Sequence, residues 1–141
     1  MEKFEFMGHS VMVDAEKTKE LYESLPLVSD KEHCGCDDCS FYAEAIVHTS
    51  PAIQQFFQQF GVDPRKGKEI WKAAEYNDGT RLYIVDYHFV GKVEGADQLY
   101  CIEIDEAKFG LTNYPGSLSS KFVAPIIQLD GEILIHPNIK K

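Results

Sequence analysis

The spacing of apolar residues along the chain changes from an uncertain start to a helical period and then to a strand period. From Lys3 to Val13, Phe4, Phe6, Val11 and Val13 mix with polar residues around Gly8, the pattern of one or two short strands. Asp14 is a natural N-cap for a helix over Ala15 to Leu25, with Glu16 early in it, Leu21 and Leu25 four residues apart, and Pro26 ending it. Val28 to Asp38 then reads as a polar loop. A second helix begins near Asp37 or Asp38 and passes Phe41, Tyr42, Ala45 and Ile46 to about His48. Ser50-Pro51 is a cap followed by proline at the first helical position. Ile53, Phe56, Phe57 and Phe60 recur at three- and four-residue steps until Gly61 closes the helix. Asp63-Pro64 repeats the cap-plus-proline pattern and predicts a further helical turn.

Beyond Gly67 the period becomes two. Trp71 to Tyr76 and Leu82 to Val90 flank Asn77-Asp78-Gly79-Thr80, a hairpin connection, because Asn, Asp and Gly tolerate the left-handed conformations of tight turns. Leu99 to Ile104 is a further strand, and Phe122 to Leu129 and Glu132 to Ile135 surround Asp130-Gly131, a second hairpin signal. Pro125 marks an edge or a bulge, and Thr112 to Ser120 reads as a polar loop. Helices first and about five antiparallel strands afterwards predict an α+β fold with N-terminal helices on one face of the sheet. No internal repeat or linker interrupts the pattern, so residues 1–141 read as one domain.

Composition narrows the function classes. A hydrophobic fraction of 44%, including 12% aromatic residues, excludes a disordered or low-complexity chain. The net charge of −9 and pI near 4.9 oppose nucleic acid as a partner and suit solubility, a basic protein partner or a cation. No apolar run approaches the roughly 18 residues that read as a membrane span. Met1 to Phe6 lacks the basic start and apolar stretch of an export signal, which predicts a cytoplasmic protein with reduced thiols.

One segment concentrates chemistry: His33-Cys34-Gly35-Cys36-Asp37-Asp38-Cys39. Three thiols in six residues, where a loop enters a helix, are able to converge on the tetrahedral geometry of zinc, with Zn–S near 2.3 Å. The spacing lacks the second ligand pair of common structural sites. The fourth ligand is therefore sought singly, in Cys101 on the strand Leu99 to Ile104, or in His33 or His48. Cys36-x-x-Cys39 also has the spacing of thiol-exchange motifs, with its second thiol in the first turn of a helix whose dipole favours thiolate, although Asp37 and Asp38 oppose that effect. The plain alternative is a buried Cys39 acting as a small apolar side chain.

Elsewhere, Asp86 and His88 share one face of a strand about 6.6 Å apart, and Glu103 on a neighbouring strand is a third candidate. A half-solvated sheet face accounts for the same residues. No nucleophile elbow, phosphate-binding glycine loop, H-E-x-x-H or EF-hand loop is present, so no catalytic residue is assigned. Phe56, Phe57 and Phe60 read as core, and Gln54, Gln55, Gln58 and Gln59 as the solvated side of the same helix.

Cys36-x-x-Cys39 before Phe41-Tyr42, then Phe60-Gly61-Val62-Asp63-Pro64-Arg65-Lys66, then Tyr87-His88-Phe89-Val90-Gly91 resemble a group of small uncharacterised bacterial proteins. These share a cysteine pair before a helix and an F-G-[IV]-D-P-x-K segment. The resemblance spans roughly residues 34 to 91. It implies a bacterial source and a stand-alone domain, brings no activity, and singles out Cys36 and Cys39. The sequence therefore leads first to a structural zinc site at Cys34, Cys36, Cys39 and Cys101 or His33 that supports a protein interaction. A metal-free acidic module, such as an immunity-like binder, comes second, and a thiol oxidoreductase third.

Overall fold

The structure, a computed structural model, describes residues 1–27, 36–66, 69–114 and 125–137. β1 (Glu2–Phe6) and β2 (His9–Val13) form a hairpin through Met7 and Gly8, both at positive φ, as the tight turns that follow strand twist require. The helices follow: α1 (Ala15–Glu23), α2 (Asp37–Ala45) running into a 3₁₀ turn at Ile46–His48, and α3 (Pro51–Gln59). The strands β3 (Glu69–Glu75), β4 (Arg81–Glu94), β5 (Gln98–Ile104), β6 (Ala107–Thr112) and β7 (Ile126–Ile135) complete an antiparallel sheet ordered β1-β2-β4-β7-β6-β5, with β3 also on β4. Among the described residues, no helix is long and apolar enough to cross a membrane.

The fold is α+β, as the patterning predicts, but the expectation of N-terminal helices ahead of about five strands needs correction. Two strands precede the helices, and the described sheet has seven. The second hairpin signal also fails. Asp130-Gly131 lies inside the continuous strand β7, paired with Asp86-Val85 on one side and Gly110-Phe109 on the other. Glycine is there for space rather than for a turn, since a Cβ on Gly131 would sit 2.9 Å from Val85 and 3.1 Å from the Phe109 ring. β6, the strand carrying Phe109, has no counterpart among the predicted strands. The predicted strand start at Phe122 and most of the Thr112 to Ser120 loop lie outside the described residues. Asp63-Pro64 opens one turn, closed by Lys66 N–H to Asp63 O at 3.0 Å.

β4 is long enough to need two partners on one edge, β3 along residues 81–86 and β2 along 91–94. Between them the backbone of His88 and Val90 faces α1 instead of a strand. Asp14 N–H donates to Val90 O at 2.9 Å, and the Thr18 hydroxyl accepts Val90 N–H at 2.9 Å. The Tyr22 hydroxyl donates to His88 O at 2.7 Å and accepts His88 N–H at 3.1 Å. One face of a helix thus satisfies the strand groups that burial would otherwise orphan.

The apolar faces meet where sequence alternation places them. Tyr83, Val85, Tyr87 and Phe89 of β4 are fully buried, and the phenylalanines of α3 lie against that side of the sheet. Phe60 stacks on Phe89 at 4.4 Å, Phe56 on Phe109 at 4.4 Å, and Phe57 meets Tyr87 edge-on at 5.1 Å. β1 closes over α3 through Phe4 on Phe60 and Phe6 on Phe56. Ser50 caps α3, and its C-terminus carries both bonds of a Schellman end, Gly61 N–H to Gln58 O and Val62 N–H to Phe57 O. Gly61 is at φ +76°, and a Cβ there would lie 2.1 Å from Ala15 O, so two independent constraints hold this position to glycine.

Candidate functional site: the thiol junction and the adjoining cleft

Cys36 is the N-cap of α2. Its exposed sulfur accepts the Cys39 amide N–H at 3.4 Å, the role a serine or aspartate oxygen plays at other helix starts. Cys39, one helical turn on, is 2% exposed, and its thiol donates to Ile70 O of β3 at 3.8 Å. The same end of α2 is tied down twice more. Tyr83 of β4 donates to Asp38 O at 2.9 Å, and Lys72 of β3 lies 3.5 Å from the Asp38 carboxylate. The Cys36 sulfur therefore sits at the positive end of a helix dipole on a junction held against the sheet, with Asp37 and Asp38 in the same turn.

The sequence candidates separate as follows. Cys36 and Cys39 are brought together on one turn of helix, whereas His33 and Cys34 lie outside the described residues. Cys101 is not beside them. It sits on β5, and β4, β7 and β6 stand between that strand and β3, four strand spacings or roughly 19 Å across the sheet. Two β5 residues, Tyr100 and Cys101, oppose Gly110 in a bulge that leaves Cys101 at φ +62°. Cys101 borders a hollow shared with Ile84, Lys108, Asp130 and Glu132, on the sheet face opposite Tyr83. His48 is exposed at the end of the 3₁₀ turn. No disulfide joins Cys36, Cys39 and Cys101 to one another. Among the described residues, no three His, Cys, Asp or Glu side chains are grouped to hold a metal ion.

Asp86 and His88 share a sheet face as the alternation requires, but His88 is 3% exposed and its backbone is taken by Tyr22. Glu103 lies three strand spacings from β4, roughly 14 Å, so the three do not form one site. Asp86 instead faces Asp130 directly across the β4–β7 ladder.

The sequence did not reveal a set of tyrosine hydroxyls running from the thiol junction to a cleft. Tyr42 of α2 bonds to the Tyr87 hydroxyl at 2.5 Å, and Tyr87 donates onward to Pro64 O at 2.7 Å. With Tyr87 spent on Pro64, Tyr42 must be the donor in the first bond. Burial raises the phenols of Tyr22, Tyr42 and Tyr87 far above their ordinary range, so they act as neutral hydrogen-bonding groups. The available signal was tyrosine rather than phenylalanine at the inward positions 42, 83 and 87.

The cleft that this chain supports has a volume of about 540 Å³ and lies between α1, α3 and the turn 61–66. Lys66 closes one side by donating from Nζ to Tyr22 O at 3.0 Å and Glu23 O at 3.5 Å, at the negative end of α1. Arg65 grips Asp63 through Nε at 3.0 Å and Nη2 at 2.9 Å. Burial works against the charge of Asp63, but the Arg65 hydrogen bonds, together with the charges of Arg65 and Lys66, outweigh it and hold the carboxyl below its ordinary value. No protein-family model, no curated protein and no solved structure matches the chain.

Proposed function

We propose that the start of α2 is a structural thiolate site for zinc, which fixes the loop-to-helix junction of a small domain whose acidic surface engages a basic protein partner. The carrying observation is the pairing of Cys36 and Cys39. One sulfur is placed at the helix N-cap and accepts an amide N–H, and the other is anchored at β3 one turn later. Metal ligation requires thiolates: at Cys36 the N–H bond and the dipole favour that form against the charges of Asp37 and Asp38, and at Cys39 a Zn–S bond would replace the thiol's hydrogen bond to Ile70 O. Cys34 and His33 adjoin this pair in sequence and are the residues that would complete a four-ligand set in place of Cys101. The partner reading is supported by the sheet face opposite the helices. There Asp86 and Asp130 oppose one another, Glu132 and Glu103 flank Lys108, and Trp71 and Tyr100 stand half exposed.

Cys36→Ser separates the metal from the cap, because serine caps a helix at least as well as a thiol but is not a thiolate ligand. Native mass spectrometry of the protein purified with zinc is expected to show one ion per chain, lost in Cys36→Ser. Chelation is expected to lower the melting temperature of the parent protein and leave that of the variant unchanged. A parent chain without metal, whose melting is indifferent to chelator, overturns the reading. The contrast of an exposed Cys36 with a buried Cys39 favours thiol–disulfide exchange as a second reading. That reading requires Cys36 to alkylate well below the ordinary thiol pKa of about 8.5.

A further inference from the structure

The cleft beside α1 has features of a ligand site that the thiol junction does not use. Its volume of about 540 Å³ falls within the range that holds small organic ligands. Its lining is mixed: Val47, at 42% exposure, and Pro64 give it an apolar side, backed by the buried Tyr22, Phe57 and Val62, while charged and amide side chains line the rest. Pro64, held by Tyr87, sets the far wall, so that side of the cleft is fixed by a hydrogen bond.

The charges at the rim run against the rest of the molecule. In a chain of net charge −9, this cleft is lined by Lys19, Arg65 and Lys66 against Glu23 and Asp63. Asp63 is already committed to Arg65 by a two-point contact. Lys66 has three donors, and it bonds to two carbonyls of α1. Lys19 makes no ion pair among the described residues and lies one helical turn before Tyr22 and Glu23. Gln58 adds an exposed amide to the same rim.

We propose that this cleft binds a small organic anion with an apolar body, of the class of medium-chain or aromatic carboxylates. The apolar part rests on Val47 and Pro64, with the buried Phe57 and Val62 behind them, and the carboxylate lies between Lys19 and Lys66. Glu23, the remaining carboxylate at that rim, opposes the ligand and sets its affinity low.

Anilinonaphthalene sulfonate, an apolar aromatic anion, serves as the fluorescent probe on the full chain, with octanoate, octylamine and octanol as competitors of equal length and different charge. The expected result is saturable probe binding that octanoate displaces at about tenfold lower concentration than octylamine or octanol, a ratio equivalent to one charge contact. Lys19→Glu is expected to weaken octanoate by about tenfold and Glu23→Gln to strengthen it by roughly threefold, the sizes expected of single partly screened charges. Both side chains are exposed, and unchanged circular dichroism confirms the fold. The proposal is overturned by an absence of saturable binding, by equal competition from the three eight-carbon compounds, or by octanoate affinity that ignores both substitutions. Metal content plays no part in this experiment, so its failure leaves the zinc reading standing, and the reverse is also true.

Discussion

A hydroxyl in the core is held there by the group that it satisfies, and the tyrosines of this protein show the asymmetry that follows. Tyr87 is both acceptor for Tyr42 and donor to Pro64 O, whereas Tyr42 is a donor to Tyr87. Tyr42→Phe leaves the bond to Pro64 in place and is expected to cost about 1 kcal/mol, the net worth of one buried hydrogen bond. Tyr87→Phe strands a buried hydroxyl and frees a carbonyl together, and its expected cost is about 2–3 kcal/mol. Urea unfolding midpoints measured at constant slope report both values. Equal costs contradict the direction assigned to the chain. At this scale the sequence was partly legible: alternation placed Tyr83, Val85, Tyr87 and Phe89 on one face, and all four are buried. The hydroxyl partners were not legible, because Asp38 O and Pro64 O arrive from segments 45 and 23 residues away.

Among the elements, local signals decide the structure where neighbouring residues alone satisfy them. Ser50-Pro51 and Gly61 bound α3, and Asn77 to Thr80 turns β3 into β4 with Tyr76 N–H bonded to Thr80 O at 2.8 Å. They misled where tertiary packing sets the choice. Asp130-Gly131 has turn chemistry, yet Phe109 and Val85 occupy the space above the glycine and the strand continues. Likewise Cys101 is set apart from Cys39 by strand order, which periodicity does not encode. The same principle governs α1, whose inward face completes the ladder that β2 and β3 leave open. Thr18→Val keeps the shape but removes the acceptor for Val90 N–H, and Tyr22→Phe removes both partners of His88. The expected losses are about 1–2 and 2–3 kcal/mol, respectively, as buried backbone groups lose their partners. Hydrogen exchange at the amides of Val90 and His88 is the diagnostic readout. Each is expected to lose protection selectively in its own variant, and uniform loss across β4 would show that α1 acts only through packing.

For the molecule as a whole, two kinds of titration and one long-range field set the pH range of stability. Burial raises the phenols of Tyr22, Tyr42 and Tyr87 above their ordinary value, so the unfolded chain ionises first. Their contribution is intact below about pH 10 and is lost as the pH rises beyond it. Asp63 shifts the other way. Its folded carboxyl lies below the ordinary range, so the Arg65 clamp is intact above about pH 4 and is lost as falling pH protonates it. Between these limits the net charge of −9 repels itself, a cost that salt screens within about 8 Å at physiological strength. The expected profile is a plateau with an alkaline limb above pH 10 and an acid limb below pH 4, the plateau rising with added salt. Asp63→Asn is expected to make the acid limb shallower, the remainder resting on the other lowered carboxylates Glu75 and Asp78, without moving the alkaline one, and Tyr42→Phe to make the alkaline limb shallower without moving the acid one. Chemical denaturation across pH at two ionic strengths checks all three features. An acid limb as steep in Asp63→Asn as in the parent would assign it to other carboxylates and remove Asp63 as the group that holds the cleft turn at low pH.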